Sequence, residues 1–259
     1  MSIYVGVGGW VYEPWRDNFY PKGLPQKREL EYAATHLTGI EVNGTYYGSQ
    51  KPESFRKWHD ETPGGFVFTL KGPRFATNRR VLAQAGDSIK RFIDSGITEL
   101  KDKLGPINWQ FMATKKFDPA DFEAFLKLLP KKAGGRALRH AVEVRHDSFQ
   151  DKAFVQMCRD HGVAIVFAAD REFPTIADVT ADFVYARLMG TEGKEKRGYP
   201  KAVLGKWAQR AQDWEKGASP KLPLLAAAAP KKKRDVFLFV ISGAKERNPA
   251  AAQSIIAAL

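Results

Sequence analysis

The chain has almost no cysteine, and this scarcity excludes several kinds of protein. Cys158 is the only cysteine among 259 residues, so no intrachain disulfide and no cysteine-based metal site can form. No apolar run approaches the roughly 18 residues that a membrane span needs, and the first residues lack the basic segment of a signal peptide. We therefore expect a cytoplasmic protein with no membrane partner.

Acidic residues are scarce relative to basic ones. The chain carries 41 Lys and Arg against 29 Asp and Glu, which gives a formal net charge of +12. This balance favours anionic ligands, phosphorylated compounds or nucleic acid, although a merely solvated surface has the same composition. No Walker loop or HExxH pattern occurs, and the glycines of GVGGW have the wrong spacing for a dinucleotide-binding loop. The sequence therefore predicts no cofactor.

Eight short apolar runs recur along the chain, each ending in polar, charged or glycine-rich residues. They are IYVGV from Ile3, GIEVN from Gly39, GFVFTLK from Gly65, INWQF from Ile107, HAVEVRH from His140, VAIVFAAD from Val163, DFVYARL from Asp182 and DVFLFVIS from Asp235. Most are separated by helix-like stretches, as in a (β/α)₈ TIM-type barrel. The length matches the roughly 250 residues of one such barrel. We predict a single domain over residues 1–259.

The connections predict where the helices lie and where the barrel is irregular. The predicted helices are 26–36, 52–60, 88–101, 119–129, 149–161, 200–217 and 248–259. Residues 171–181 are too few for a full helix, so we predict a weak or missing helix between the sixth and seventh strands. Residues 219–234, with prolines at 220, 223 and 230, predict a protruding loop on the N-terminal face. The basic run 231–234 in this loop is more typical of a solvated edge than of a nucleic-acid patch.

Alternation along the runs separates an apolar set from a polar set. Successive strand residues point to opposite faces, so Val142 and Val144 face one way while Glu143 and Arg145 face the other. The same alternation gives further polar pairs, which are Glu41 with Asn43, Thr69 with Lys71, Asn108 with Gln110, and Tyr185 with Arg187. Chemistry in barrels occurs at the C-terminal ends of the strands. We therefore predict that Glu41, Lys71, Gln110, Glu143, Arg145 and Arg187 converge there.

Three residues are candidates for proton transfer. Glu41 and Glu143 are inward carboxylates on different strands, and two such groups can act as acid and base. His146 is the one histidine of five at a strand C-terminus. A fixed network in which Arg145 and Arg187 pair with these carboxylates is an alternative, and it is compatible with a binding site. The cationic neighbours and the missing ligand spacing argue against a metal.

Basic and aromatic residues surround the predicted mouth. Lys71, Arg145 and Arg187 are candidate anion ligands, whereas Asn43 and Gln110 are candidates for orienting a ligand. Aromatic residues cluster after the first two strands, where Trp10, Tyr12 and Tyr46 are candidates for stacking on a ring. A small core within the loop is an equally good interpretation of such a cluster.

Several sequence blocks resemble one known family. The blocks are GVGGWVYEPW from Gly6 with FYP at 19–21, IEVNGTYYG at 40–48, TPGGFVFTLKGPR at 62–74, KLGPINWQF at 103–111, EVRHDSF at 143–149 and YARLMG at 185–190. Together they resemble the YecE-like family, domain of unknown function 72, over nearly the whole chain. The resemblance implies a TIM-barrel-like fold and no particular reaction. It also implies a pocket lined by Trp10, Tyr12, Glu41, Asn43, Tyr46, Lys71, Gln110, Glu143, Arg145, His146 and Arg187.

The chain departs from the family pattern at three places. Asn78 and Met189 stand where the family usually has histidine, and Ser242 lies where the family has an Asn-rich strand end. Two imidazoles are therefore absent. This difference argues against any mechanism that needs a multi-histidine metal site.

These observations lead to one main hypothesis and two alternatives. We expect a barrel protein that binds a small anionic, ring-containing ligand, such as a phosphosugar or nucleotide, and acts on it by acid/base chemistry. As an enzyme it would be a metal-independent hydrolase, lyase or isomerase. The alternatives are a nucleic-acid binding or processing protein and a non-catalytic binding or regulatory protein, because barrels host many functions.

Overall fold

A parallel β-sheet forms the centre of the protein. The computed structural model describes residues 2–170, 172–219 and 221–259. Met1 of the predicted domain, Arg171 of the predicted connection 171–181 and Pro220 of the predicted loop 219–234 lie outside the described residues. The strands are β1 (Ile3–Gly8), β2 (Gly39–Val42), β3 (Val67–Lys71), β4 (Leu104–Gln110), β5 (Lys132–Ala133), β6 (Arg136–Ala137), β7 (His140–Glu143), β8 (Ala164–Ile165), β9 (Phe167–Ala169), β10 (Phe183–Thr191) and β11 (Asp235–Gly243). β5 and β6 form a separate antiparallel pair.

The sheet closes into a barrel through a strand that is interrupted in the middle. Its order is β8-β7-β4-β3-β2-β1-β11-β10-β9. β8 and β9 are two parts of the sixth predicted run, and Val166 alone separates them. β8 pairs with β7 and β9 pairs with β10, both in parallel register. The predicted irregular (β/α)₈ TIM-type barrel is therefore confirmed.

Helices pack on the apolar outer face of the barrel. They are α1 (Glu29–His36), α2 (Gly44–Tyr47), α3 (Pro52–Asp60), α4 (Arg74–Thr77), α5 (Gly86–Ile93), α6 (Pro119–Leu128), α7 (Lys152–His161), α8 (Lys201–Glu215) and α9 (Asn248–Ile256). None of the helices in the described ranges is long and apolar enough to cross a bilayer. The Asp118 carboxylate accepts a hydrogen bond from the Asp121 amide at 3.1 Å, which stabilises the start of α6.

Two predicted helices differ from the structure because each contains a turn. The predicted helix 88–101 is α5 followed by a separate 3₁₀ helix over Ile97–Lys103, because Gly96 adopts a φ of 100° that a helix cannot continue. The predicted helix 149–161 begins only at Lys152, after a short 3₁₀ turn over Asp147–Phe149. In both cases the helix-like spacing of apolar residues in the sequence continues across a turn.

The connection between β9 and β10 contains no helix in its described part, as predicted. It lies along the edges that β8 and β9 leave unpaired. Thr180 Oγ1 accepts a hydrogen bond from the Ile165 amide at 2.9 Å and donates to the Val163 carbonyl at 2.7 Å. Thr175 Oγ1 donates to the Ala168 carbonyl at 2.7 Å. These side chains satisfy backbone groups that a neighbouring strand would otherwise bind.

The described part of the predicted loop 219–234 is held against this connection. The amides of Leu225 and Ala226 donate to the Asp178 carboxylate at 2.9 and 3.0 Å. Arg159 Nη2 donates to the Ala227 carbonyl at 2.8 Å. The segment leads to the start of β11 at Asp235.

The interior of the barrel is apolar at its N-terminal end. The ring of Tyr4 stacks on Phe237 at a centroid distance of 5.1 Å, and Phe183 meets Phe237 edge-on at 5.9 Å. Arg139 covers this end, with its guanidinium 4.8 Å from the Phe237 centroid and 2.8 Å from the Asp235 carboxylate. This packing leaves the polar side chains to the opposite end.

Candidate functional site

A buried charge cluster occupies the C-terminal half of the barrel, with Arg187 of β10 at its centre. Arg187 is 2% exposed, and Glu41 of β2 and Glu143 of β7 have no exposed surface. Arg187 Nη2 lies 3.1 Å from Glu41 Oε1, and Nε lies 3.1 Å from Glu41 Oε2. Nη1 donates to Glu143 Oε2. A single guanidinium therefore binds both predicted catalytic carboxylates.

Neutral hydrogen-bond donors complete the binding of the two carboxylates. Tyr185 donates its hydroxyl proton to Glu41 Oε2 at 2.6 Å and lies 2.9 Å from Thr69 Oγ1. Asn108 Nδ2 lies 3.3 Å from Glu143 Oε2. Burial and the nearby Glu41 raise the pKa of Tyr185 well above 10, so the phenol keeps its proton. Tyr185, Thr69 and Asn108 were missed as site residues, although alternation had assigned them to the inward set.

Glu143 is ionised at neutral pH in this environment. Burial alone raises the pKa of a carboxyl group, but Arg187, Arg145 and Lys71 outweigh it and lower the pKa of Glu143 to about 2. For Arg187, burial lowers the pKa, and the two carboxylates reverse the effect and raise the pKa above its ordinary value. The cluster is therefore an ion-paired network in which Glu143 has no proton to donate as a general acid.

Arg145 lies at the mouth, just beyond the end of β7. Its side chain is 22% exposed, and Nε and Nη2 donate to the same Glu143 oxygen at 2.9 and 2.7 Å. The guanidinium also lies over the ring of Phe173, 4.5 Å from its centroid. Nη1 has no hydrogen-bond partner among the residues described. Arg145 therefore pairs with Glu143 and still offers one N–H edge to solvent.

Lys71 ends β3 beside this network. It is 6% exposed, and Nζ donates to Gln110 Oε1 at 2.5 Å and lies 4.6 Å from the centroid of the Tyr46 ring. Burial lowers the pKa of Lys71 most strongly, and the charge of Arg187 lowers it further, to about 8. A substantial fraction of this amine is therefore neutral near physiological pH.

His146 and Asn43 lie at the ends of their strands. His146 Nδ1 accepts a hydrogen bond from the Ser148 amide at 3.1 Å and lies 2.9 Å from Ser148 Oγ. Nδ1 is thus the acceptor, and the neutral ring carries its proton on Nε2. Asn43 packs against the end of β1. Its Nδ2 approaches Gly8 so closely that a Cβ added at Gly8 would lie only 2.7 Å from it.

The structure does not bring Trp10 and Tyr12 into the charge cluster. The Trp10 ring packs edge-on against Trp58 at 5.1 Å and Phe68 at 6.4 Å, on the outer side of the barrel. Tyr12 lies on the rim, where Lys245 Nζ is 4.2 Å from its ring centroid. Strand alternation gives no direction for side chains in this loop, which explains the difference.

The three departures from the family pattern fall at the mouth or next to it. The Met189 sulfur lies 3.8 Å from Arg187 Nη1. Met189 pairs with Ser242 at an irregularity in the β10 and β11 register, and Asn78 ends α4. Within the described ranges, no group of three or more His, Cys, Asp and Glu side chains is arranged to hold a metal ion.

Comparison with known families and proteins finds matches along almost the whole chain. A family model described as "Protein of unknown function DUF72" matches residues 4–259. The UPF0759 protein YecE of Escherichia coli (strain K12) is 24% identical over 245 residues, which covers 85% of each chain.

Solved structures share the barrel fold. A DUF72 family protein from Thermotoga maritima superposes with a TM-score of 0.74 at 21% identity, covering 99% of this chain and 97% of that one. A xylose isomerase-like TIM barrel/4-hydroxyphenylpyruvate dioxygenase fusion protein superposes with a TM-score of 0.52 at 15% identity, covering 97% of this chain and 41% of that chain. At these identities the likeness concerns the fold.

Proposed function

The chain belongs to the DUF72 family, and we propose that the mouth of its barrel binds a small anionic ligand that contains a ring. The observation that carries this proposal is Arg145 Nη1, which has no hydrogen-bond partner among the described residues, on a side chain that is 22% exposed and close enough to buried Lys71 to lower its pKa. A planar guanidinium edge suits the oxygens of a phosphate or carboxylate.

The charge balance of the cluster supports an anion. Lys71, Arg145 and Arg187 are cationic when protonated, whereas Glu41 and Glu143 supply two negative charges. These five groups therefore carry one net positive charge in a buried setting. Burying unbalanced charge is costly, so an anion at the mouth relieves that cost and gains hydrogen bonds.

The ring of the ligand has apolar surfaces to contact. Phe173 and Tyr46 are partly exposed, and each already lies against a cation of the cluster. Aromatic faces of this kind pack against sugar or nucleobase rings. Gln110 and Asn43 supply polar groups at the same ends of the strands, where they are suited to orient the ligand.

Within this proposal, His146 is the best proton carrier. Its Nε2 carries a proton in the neutral ring and has no hydrogen-bond partner among the residues described. Glu143 is ionised and fully bound, so its role is to hold Arg145 and Arg187 in position. Glu41, bound by Arg187 and Tyr185, holds Arg187 from the other side.

Arg145→Lys tests the anion site directly. We expect the affinity for glucose 6-phosphate to fall about tenfold or more, because lysine keeps the charge but loses the planar pair of donors. Isothermal titration calorimetry measures this change, and urea unfolding is expected to show little change in stability.

The matched control is Arg139→Lys. Arg139 lies at the opposite end of β7, where it also pairs with one carboxylate and lies over aromatic rings. Its replacement is expected to leave binding unchanged. Unaltered glucose 6-phosphate affinity in a folded Arg145→Lys protein would show that Arg145 is structural.

One observation favours nucleic acid as a second candidate ligand. Tyr47 and Phe75 are 66% and 61% exposed. The guanidinium of Arg74 lies 6.0 and 5.6 Å from their ring centroids. Exposed aromatic rings beside arginine are suited to stack on the bases of a single strand.

Salt dependence tests this second candidate. If about four cations on this rim contact phosphates, affinity for an oligothymidylate is expected to fall about 50-fold between 50 and 200 mM salt. Arg74→Ala should then reduce the salt slope, whereas Arg136→Ala, in the exposed β6 strand, should not. Fluorescence anisotropy measures both. Equal slopes for the two variants would exclude the Arg74 rim as the binding surface.

A further inference from the structure

The second buried lysine of the chain, Lys103, shows by contrast what is unusual about Lys71. Lys103 is 4% exposed, and its Nζ donates to the carbonyl oxygens of His59 and Thr62 and to the Thr62 hydroxyl. Three acceptors match the three protons of an ammonium group. All three protons of the Lys103 ammonium group therefore have acceptors, although burial lowers the pKa of Lys103 from its usual value.

Lys71 has a different set of neighbours. Among the residues described, its Nζ has one hydrogen-bond acceptor, Gln110 Oε1, and one aromatic face, that of Tyr46. The nearby carboxylates of Glu41 and Glu143 are already bound by arginine. Nothing therefore holds all three protons of Lys71 in place, and its nitrogen lies at the C-terminal end of a barrel strand, where barrel chemistry occurs.

We propose that Lys71 is a nucleophile that forms a Schiff base with the carbonyl group of a small anionic substrate. This inference rests on the anion site proposed above, because Arg145 would bind the substrate's negative group while Lys71 meets its carbonyl. A lowered pKa, here about 8, is what an amine nucleophile requires to be neutral at working pH.

The reaction is a condensation that releases water. The lone pair of neutral Nζ attacks the carbonyl carbon, a C–N bond forms, and the carbonyl electron pair moves to oxygen, which takes up a proton. The resulting hydroxyl leaves as water with a second proton, and the nitrogen lone pair forms the C=N bond. The nitrogen gives up one of its two protons before water leaves, so the iminium product carries one N–H and one positive charge, whereas the neutral imine carries no N–H.

The surroundings of Lys71 suit the product as well as the amine. The single N–H of the iminium ion is matched by the single acceptor, Gln110 Oε1. The face of Tyr46 stabilises the positive charge that remains on the nitrogen. The ionised Glu143 nearby balances it further.

Reductive trapping with pyridoxal 5′-phosphate tests the proposal. This probe carries an aldehyde, an aromatic ring and a phosphate, and pyridoxal is the same molecule without the phosphate. Borohydride supplies a hydride that converts the C=N bond into a stable secondary amine. Peptide mass spectrometry then locates and quantifies the modified lysines in the intact protein.

We expect Lys71 to be modified ahead of the other lysines and Lys103 to remain unmodified. Relative to the exposed lysines in the same sample, Lys71 should be modified about tenfold more by pyridoxal 5′-phosphate than by pyridoxal, because only the former has a group for Arg145. Inorganic phosphate should slow the reaction, and Arg145→Lys should remove the preference for the phosphorylated probe. Mapping Lys71 and Lys103 in one sample needs no variant that risks misfolding.

One result would contradict the Schiff base alone, and a different result would contradict the anion site. If glucose 6-phosphate binds with dependence on Arg145 but Lys71 is never trapped, the Schiff base is wrong and the anion site stands. If Lys71 reacts equally with both probes and phosphate does not protect it, the anionic substrate and the anion site are wrong.

Discussion

Replacing Arg187 with methionine is expected to lower the free energy of unfolding by about 3 to 5 kcal/mol at pH 7. Methionine fills a similar volume but leaves Glu41 and Glu143 buried without the guanidinium that binds both. Removing one partner from a buried ion pair costs more than the pair itself contributes, because the remaining charge cannot be hydrated. Urea unfolding of the wild-type and variant proteins measures the difference.

Two controls make this result specific. Arg56→Met removes an exposed ion pair with Glu99 at 3.2 Å and is expected to cost less than about 1 kcal/mol. Combining Arg187→Met with Glu41→Gln and Glu143→Gln should recover much of the lost stability, because the stranded charges are gone. A loss in Arg187→Met no greater than that in Arg56→Met would show that the carboxylates do not depend on Arg187.

The loss caused by Arg187→Met should shrink in acid. The folded pKa of Glu143, about 2, lies below its ordinary value of 4.5. A depressed carboxyl pKa stabilises the folded state above the unfolded pKa, and this contribution disappears as pH falls from about 4.5 to 2. The wild-type and variant proteins should therefore converge in stability over this window.

The affinity for glucose 6-phosphate is expected to fall by up to tenfold for each pH unit above about 8. The folded pKa of Lys71 is about 8, and an anion binds the protonated amine more strongly than the neutral one. The ligand does not cause the change, because a phosphate monoester loses its second proton near pH 6. Calorimetry between pH 7 and 9.5 measures the slope.

The charged groups around Lys71 identify it as the group that titrates. Arg187 keeps its proton throughout this range because its pKa is raised, and Glu143 is ionised far below it. Gln110 and the face of Tyr46 complete the contacts of the amine. Lys71→Gln should therefore bind more weakly at pH 7 and lose the pH dependence. A constant wild-type affinity from pH 7.5 to 9.5 would contradict a role for Lys71 in anion binding.

Alternation along the strands predicted the composition of the charge cluster. The side chains of Glu41, Glu143 and Arg187 meet because each occupies an inward position near the C-terminal end of its strand. Lys71 and Gln110 meet for the same reason. Strand geometry fixes these directions within a single run of residues, so no knowledge of distant contacts is needed.

Other parts of the site depend on contacts that the pattern cannot encode. Trp10 lies in a loop, and it packs outward because Trp58 and Phe68 provide an aromatic pocket there. Phe173 contacts Arg145 from a connection whose path is set by tertiary packing. Arg187 binds both carboxylates because of the order of the strands around the barrel. The sequence of one strand does not specify that order.

The two threonines of the connection between β9 and β10 affect how the molecule behaves towards its own copies. Because β8 and β9 each lack a partner on one side, the broken strand would otherwise offer free amide and carbonyl groups to a strand of another chain. Thr180 and Thr175 bind backbone groups of that strand through their hydroxyls. Within the described part of this connection, the two hydroxyls therefore occupy backbone groups that a strand of another chain would otherwise bind.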